Sequence, residues 1–322
     1  MSKTRLVTII CWCLTAAILI GLVIWFLAGP VFGVKNSVRI TGLFGGVSVR
    51  SLTGPYEEAG SYSVKADGIG GLDIDWTAGA VTVTPYDGSD IKFTEYAQRA
   101  LDDREKLVYK ASGGTLAIDY IAPGLNFDMI TKKLEVFVPK ALAGKLESLS
   151  VTATSADISI SGLTVTGLYI DDTSGGVTLD GIRSDTTEVN STSGIVNIRD
   201  TTAAELRANS VSGDIRLTGV TADKLNTSTT SGAHVLNGTF KDINAGSVSG
   251  DIKVTGTADP DRITCGTTSG NIVVTIPGNA VLNVDYSTVS GRFSSEIPVK
   301  TAGGSASYKF STVSGSITLK DA

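Results

Sequence analysis

The chain has 322 residues and a formal net charge of -5, with 27 Lys and Arg against 32 Asp and Glu, and only 18% of its residues are charged. That balance excludes an electrostatic nucleic-acid binder and a charged disordered tail. Hydrophobic residues make up 42% and aromatics only 7%, beside 37 Gly, 33 Ser and 38 Thr, a mixture that favours strands and tight turns over helices. One His, two Met and three Cys leave little material for a His-based catalytic or metal site.

Leu6 to Ala28 carry no charge over 23 positions. As a helix this stretch reaches roughly 34 Å, enough to cross a hydrocarbon core. A cleaved signal peptide would have an apolar region of about 7 to 15 residues and a small-x-small site, and Phe26, Leu27, Ala28 and Gly29 make a poor one. Ile10 before Cys11 argues against a lipoprotein signal. The stretch therefore predicts a retained span at 6–28. Lys3, Arg5 and the amino terminus place the stub 1–5 in the cytoplasm, and the chain beyond a linker at 29–36 outside. The expected location is thus the cell membrane, single-pass, with the β domain extracytoplasmic. Cys11 and Cys13 sit in the span, far from Cys265, so no disulfide is expected and Cys265 reads as a small buried hydrophobe.

Residues 37–145 carry a blurred form of the repeat that becomes regular from 146 to 322. GLDIDWTAGAVTV fits one unit with Ala78 at its marker position, and KLVYKASGGTLAIDY fits another with Gly113 there. EYAQRALDDREK reads as a loop or arm, and Leu134 to Pro139 as a strand. These irregular coils are expected to cap the regular ones.

The regular marker is a serine, at Ser155, Ser174, Ser193, Ser212, Ser231, Ser249, Ser269, Ser290 and Ser314, spaced 19, 19, 19, 19, 18, 20, 21 and 24 residues apart. Apolar residues recur six and four positions before it, as in Leu168 and Ile170, and three and five after it, as in Val177 and Leu179. Period two on each side means strand. The change of parity across the marker requires a bend, and Gly follows the marker in all copies but one, where Ala156 stands. A second corner is suggested by Gly162, Gly181, Gly219, Gly238 and Gly256. Two positions before the marker the residue is small, often Ser or Thr, with Asp172 the outlier; stacked hydroxyls there are expected to bond one another. The fold class is all-β: a parallel β-solenoid, a single-stranded β-helix of 19-residue coils, preceded by one transmembrane helix. A leucine-rich horseshoe would need a helical arm and an asparagine-bearing pattern that the repeat lacks.

An amino-terminal apolar span, a strand ending at Pro139, and the repeated SVSGDI and TTSGNI units together resemble the Toastrack-type family of bacterial β-solenoid domains over roughly residues 60–322. The resemblance implies an adhesin-like or envelope-stress protein of the bacterial cell envelope, and it supplies no catalytic residue.

No catalytic, cofactor or metal residue is assigned. Asp214 and Asp251 share an offset two coils apart, about 9.5 Å, within the range of an inverting glycosidase. Arg216 and Lys253 follow them on the same face, so the pair reads as turn and surface chemistry. His234 falls at an inward offset; a local bulge is expected to turn it out and let Val235 or Leu236 fill the core. The GIGGLDID stretch is a weak match to calcium turns, lacking their nonapeptide period. Asn190, Asn226 and Asn237 begin N-x-S/T triplets of the kind a Ser- and Thr-rich chain supplies by chance. The reading is a non-catalytic binding or scaffold module that meets an envelope polymer, a cell-surface component or a membrane protein. A carbohydrate-active β-helix enzyme is the alternative. Because the last strand lies near Ala322, its open edge is expected to offer a route to a homo-oligomer.

Overall fold

A computed structural model describes residues 38–40, 47–49, 55–120, 131–278, 281–301 and 307–322. The expected span Leu6–Ala28, its flanking charges and Cys11 and Cys13 lie outside these residues; among the described residues no helix is long and apolar enough to cross a membrane. The chain divides into two compact units. In the first, Val38–Ile40 and Val47–Val49 pair as an antiparallel hairpin. In the second, the strands from Glu57–Lys65 to Ile317–Asp321 belong to one closed sheet, and the one helix described is the single turn Lys140–Ala143.

Parallel pairing follows the sequence rhythm. Leu72, Leu149, Leu168, Thr187, Leu206, Leu225, Ile243 and Ile263 stand opposite one another in successive strands, all buried. Each is the same offset from its marker, so every coil lays its inward pair, apolar in most copies, on that of the coil below. A third inward pair, Leu163 with Val165 and its counterparts Val220 with Ala222, is also buried. It escapes the two-strand reading because the long strand itself bends. In the pairing of Thr164–Asp172 with Arg183–Ser191, Thr166 and Asp185 are both left unpaired, and the next inward residue after Val165 is Leu168, so parity shifts by one and the coil gains a third side.

The glycine after the marker is required by close approach, and its φ is not positive. A Cβ on Gly194 would lie 1.6 Å from the carbonyl oxygen of Gly175, and one on Gly213 1.8 Å from that of Gly194. At Ala156 the strand Leu146–Ser161 stays paired through the marker, with Gly79 opposite the alanine, which is buried. The second corner does use positive φ, at Gly162 (67°), Gly181 (65°) and Gly219 (67°), with Asp200 (44°) in the coil between. Where the marker spacing falls to 18, Leu217 to Val220 lies opposite Leu236 to Gly238; the residue lost is the one at this corner. The small residues before the marker serve the glycine turn more than one another. Ser191 and Ser210 Oγ accept from the N–H of Gly194 and Gly213 at 3.0 and 2.8 Å, and Thr229 Oγ1 donates to Gly232 O at 2.7 Å. Only Thr229 and Ser247, 3.2 Å apart, form the expected hydroxyl pair among the described residues. The turn's own peptide groups are the nearest unpaired partners, which is why they win.

The last two coils exchange places. Tyr308–Thr312 pairs with Arg262–Thr267 on one side and with Leu282–Thr288 on the other, and Ile317–Asp321 lies between Ile272–Ile276 and Phe293–Ser295. The N–H of Ser314 donates to Thr268 O, and that of Ser290 to Val313 O, both at 2.9 Å. The expectation of an open carboxyl-terminal edge is corrected: the carboxyl-terminal strands are paired on both sides, and the outer coil is 282–301. Of the aromatics expected at a widened end, Tyr308 and Phe310 are buried, while Tyr286 and Phe293 stack at 4.0 Å on the outer coil.

At the other end antiparallel strands close the stack. Gly71–Tyr86 carries Ala78 opposite Ser155, as expected, and pairs in parallel with Lys132–Pro139. Asp90–Ala97 then pairs antiparallel with Lys132–Pro139 and with Glu57–Lys65. KLVYKASGGTLAIDY is not a coil: Val108–Ser112 and Thr115–Asp119 form an antiparallel hairpin. Gly113 and Gly114, both at positive φ, make its two-residue turn. Glu95, expected at the start of a loop, lies within strand Asp90–Ala97 and is fully buried beside Lys132, Nζ to Oε1 2.8 Å. Leu107 N–H donates to both Glu95 oxygens at 3.1 Å, and the Tyr120 ring lies 4.1 Å from the ammonium. Burial pushes Lys132 below the usual lysine range, against the pull of Glu95.

Candidate binding surface

The structure uses most of the singled-out polar residues internally. Asp214 Oδ2 meets Arg216 Nη2 at 2.9 Å, and Asp214 Oδ1 accepts from Ala233 N–H in the next coil at 2.9 Å. Asp251 Oδ1 accepts from Asn271 N–H at 2.7 Å, and Asp157 Oδ1 likewise from Gly176 N–H at 2.9 Å. These carboxylates cap the corner peptides of the coil above, which supports the reading of Asp214 and Asp251 as turn chemistry. Lys253 was expected to pair with Asp251; the carboxylate turns to the next coil instead.

His234 contradicts its expectation. It is fully buried, with Leu236 inward as well. Its Nδ1 lies 2.9 Å from Thr227 Oγ1 and its Nε2 3.2 Å from Thr229 Oγ1. No bulge is needed, because Thr227 replaces an apolar residue in the same coil and supplies a partner. Burial lowers the imidazole to about 4. Cys265 is buried and its thiol is pushed up to about 12 by burial, as befits a core residue and not a nucleophile. Asp172 replaces a hydroxyl in the small-residue column. It is buried, accepts from Gly175 N–H, and leaves Oδ1 without a partner; burial raises its carboxyl. In the GIGGLDID stretch Asp75 stands opposite Asp119, whose carboxyl is raised by burial and then by Asp75 and Asp73. Among the described residues no group of three or more His, Cys, Asp or Glu is arranged to hold a metal ion. Asn237 stands by the shortened corner, whereas Asn190 and Asn226 point outward from one face of the stack.

That face is formed by the outward residues just before each marker, and it has two different halves. In the coils of Ser193 and Ser212 its side chains satisfy one another. Asn190 Nδ2 donates to Glu188 Oε1 at 3.1 Å, Asn209 Nδ2 to Asn190 Oδ1 at 2.9 Å, and Ser228 Oγ to Asn209 Oδ1 at 2.8 Å. Arg207 Nη2 holds Glu205 Oε1 at 2.7 Å. Beyond Ser228 the ladder stops, because its next two positions are Gly246 and Gly266. The neighbouring column continues through Asn226, Asn244 and Thr264. These side chains take no hydrogen-bond partner among the described residues. They line a shallow trough with Lys224, Asp242 and Arg262, in which Arg262 Nη1 and Asp242 Oδ2 are 3.5 Å apart. The trough was not foreseen; its signal was the break from Asn and Ser to Gly at one offset.

The sequence pattern of the family described as Toastrack DUF4097 matches residues 69–320. Among solved structures, the chain is similar to a "putative adhesin" from Parabacteroides merdae, with 13% identity and a TM-score of 0.51 over 81% of this chain and 95% of that one. It is also similar to a "putative lipid binding protein" from Parabacteroides distasonis, with 20% identity and a TM-score of 0.47 over 83% and 97%. No curated protein matches. A match over residues 69–320 takes in every regular coil and the capping strands from Gly71 onward, and the chain belongs to the Toastrack DUF4097 family.

Proposed function

We propose that this protein is a non-catalytic binding or scaffold module of the bacterial cell envelope, anchored by Leu6–Ala28 with its amino terminus cytoplasmic and its β domain outside. The observation that carries the reading is the division of labour among polar residues. The carboxylates that could have served a hydrolase, Asp214 and Asp251, are engaged in the coil corners, whereas unengaged amides stand on an outer face at Asn226 and Asn244. Such a stack holds its outer face rigid, so a partner would meet a preorganised surface. The likeness to a solved "putative adhesin" is in keeping with that role, as is the adhesin-like or envelope-stress role that the family resemblance implies.

The test is done in cells. A thiol-reactive, membrane-impermeant label should reach a cysteine placed at Ser212, and crosslinking of intact envelopes should retain a glycan or protein partner on the full chain. Failure of the label to reach Ser212→Cys in intact cells would overturn the orientation. An absence of any crosslinked partner would overturn the binding role.

A further inference from the structure

We infer that the trough around Asn226, Asn244 and Thr264 is a binding site for a neutral, extended glycan chain. The inference deepens the binding-module reading and rests on it.

Four features select this occupant. First, the backbone N–H and C=O groups under the trough are consumed by parallel pairing between coils, so an extended peptide cannot dock there by adding a strand. A ligand on this face must be read by side chains. Second, those side chains are amides and a hydroxyl, which offer donors and acceptors together and are spent on nothing else among the described residues. Sugar hydroxyls need that mixture. Their column repeats at the strand spacing of about 4.8 Å, close to the length of one sugar in an extended chain. Third, the charges beside the amides alternate along the stack, Lys224 and Arg262 flanking Asp242, and two of them pair at 3.5 Å. A field of one sign, as an acidic lipid surface or a polyphosphate would need, is missing from this trough. The trough also carries no aromatic anchor of the kind that dominates protein interfaces. Fourth, Gly246 and Gly266 leave bare the strip that borders the trough beyond the amide column, and a Cβ built on Gly246 would meet nothing within 4 Å. A sugar ring can lie flat on the peptide planes there, between the amide column and the exposed Val248.

The same geometry gives a clean perturbation. Gly246→Gln covers the bare strip beside the amide column, where its Cβ meets nothing within 4 Å, and Asn226→Ala with Asn244→Ala removes both amides from an outward column. The full-length chain in mild detergent is titrated with labelled hexasaccharides of β-1,4-linked N-acetylglucosamine, β-1,4-linked glucose and α-1,6-linked mannose, beside phosphatidylglycerol vesicles. At least one hexasaccharide should bind. The double alanine variant should weaken it about ten-fold or more, the loss expected for two hydrogen bonds. Gly246→Gln should weaken it as well. Asn209→Ala, in the self-satisfied half, should leave it unchanged. If the double variant fails to fold, Gly246→Gln decides. Binding to none of the three sugars, binding to vesicles alone, or binding that ignores Gly246→Gln overturns the site. A chain that crosslinks an envelope protein yet binds no hexasaccharide loses this inference while the binding role stands; a chain that does neither loses both.

Discussion

His234 Nδ1 lies 2.9 Å from Thr227 Oγ1 in the interior of the stack, at positions that most other coils fill with Ile, Val or Ala. The imidazole is held neutral, lowered from 6.5 to about 4 by burial, with the Gly246 backbone and then the Asp214 carboxylate pulling the other way. A histidine whose folded value is depressed leaves stability intact above its unfolded value and loses it as pH falls toward the folded one. Between pH 6.5 and 4 the protein should therefore lose about 3 kcal/mol, at 1.36 kcal/mol per unit. Urea titrations across that window should show the loss, and His234→Ile combined with Thr227→Val should flatten it.

The marker glycines and Gly246 separate two kinds of glycine. At Gly194 a Cβ would sit 1.6 Å from a backbone oxygen of the coil below, whereas at Gly246 it would touch nothing. Gly194→Ala should cost about 3 kcal/mol or more, because the coils must part to admit it. Gly246→Ala should be neutral or stabilising by up to about 1 kcal/mol through the unfolded chain. Denaturant midpoints of the two variants should differ in this order.

Glu95 and Lys132 are fully buried partners 2.8 Å apart. Removing one leaves the other charged and desolvated, so Lys132→Met should cost about 3 to 5 kcal/mol. Glu95→Gln with Lys132→Met should cost less than Lys132→Met alone. A double-mutant cycle on thermal or chemical unfolding measures the coupling, and additive losses would contradict it.

The parts of this fold visible in the sequence are those that repeat in every coil. Leu168 and Ile170 before the marker, and Val177 and Leu179 after it, are apolar in most copies, so two sides of each coil could be counted. The third side could not. Its positions hold Leu163 in one coil and Thr201 in another, both buried, and the bend at Gly167 breaks the parity that would have tied them to the rest. The exchange of the last coils is hidden for a different reason. Val284 and Tyr308 both place a buried side chain six positions before a marker serine, so local pattern does not say which lies on Ile263. His234 was misread because its partner Thr227 matters only once both are in the same coil interior. The trough needed the structure to show that Asn190 and Asn209 are occupied and Asn226 and Asn244 are not.

The central claim is that successive serine markers stand in one column, with Ser314 between Ser269 and Ser290. Spin labels at Ser155 paired with Ser249, Ser314 or Ser290, in a chain with Cys11, Cys13 and Cys265 replaced by serine, measure it by electron–electron dipolar distances. At about 4.8 Å per coil, the three separations should be about 24, 34 and 38 Å in that order. A Ser155–Ser290 distance shorter than Ser155–Ser314, or distances that do not grow with coil number, would contradict the stack and the surface built on it.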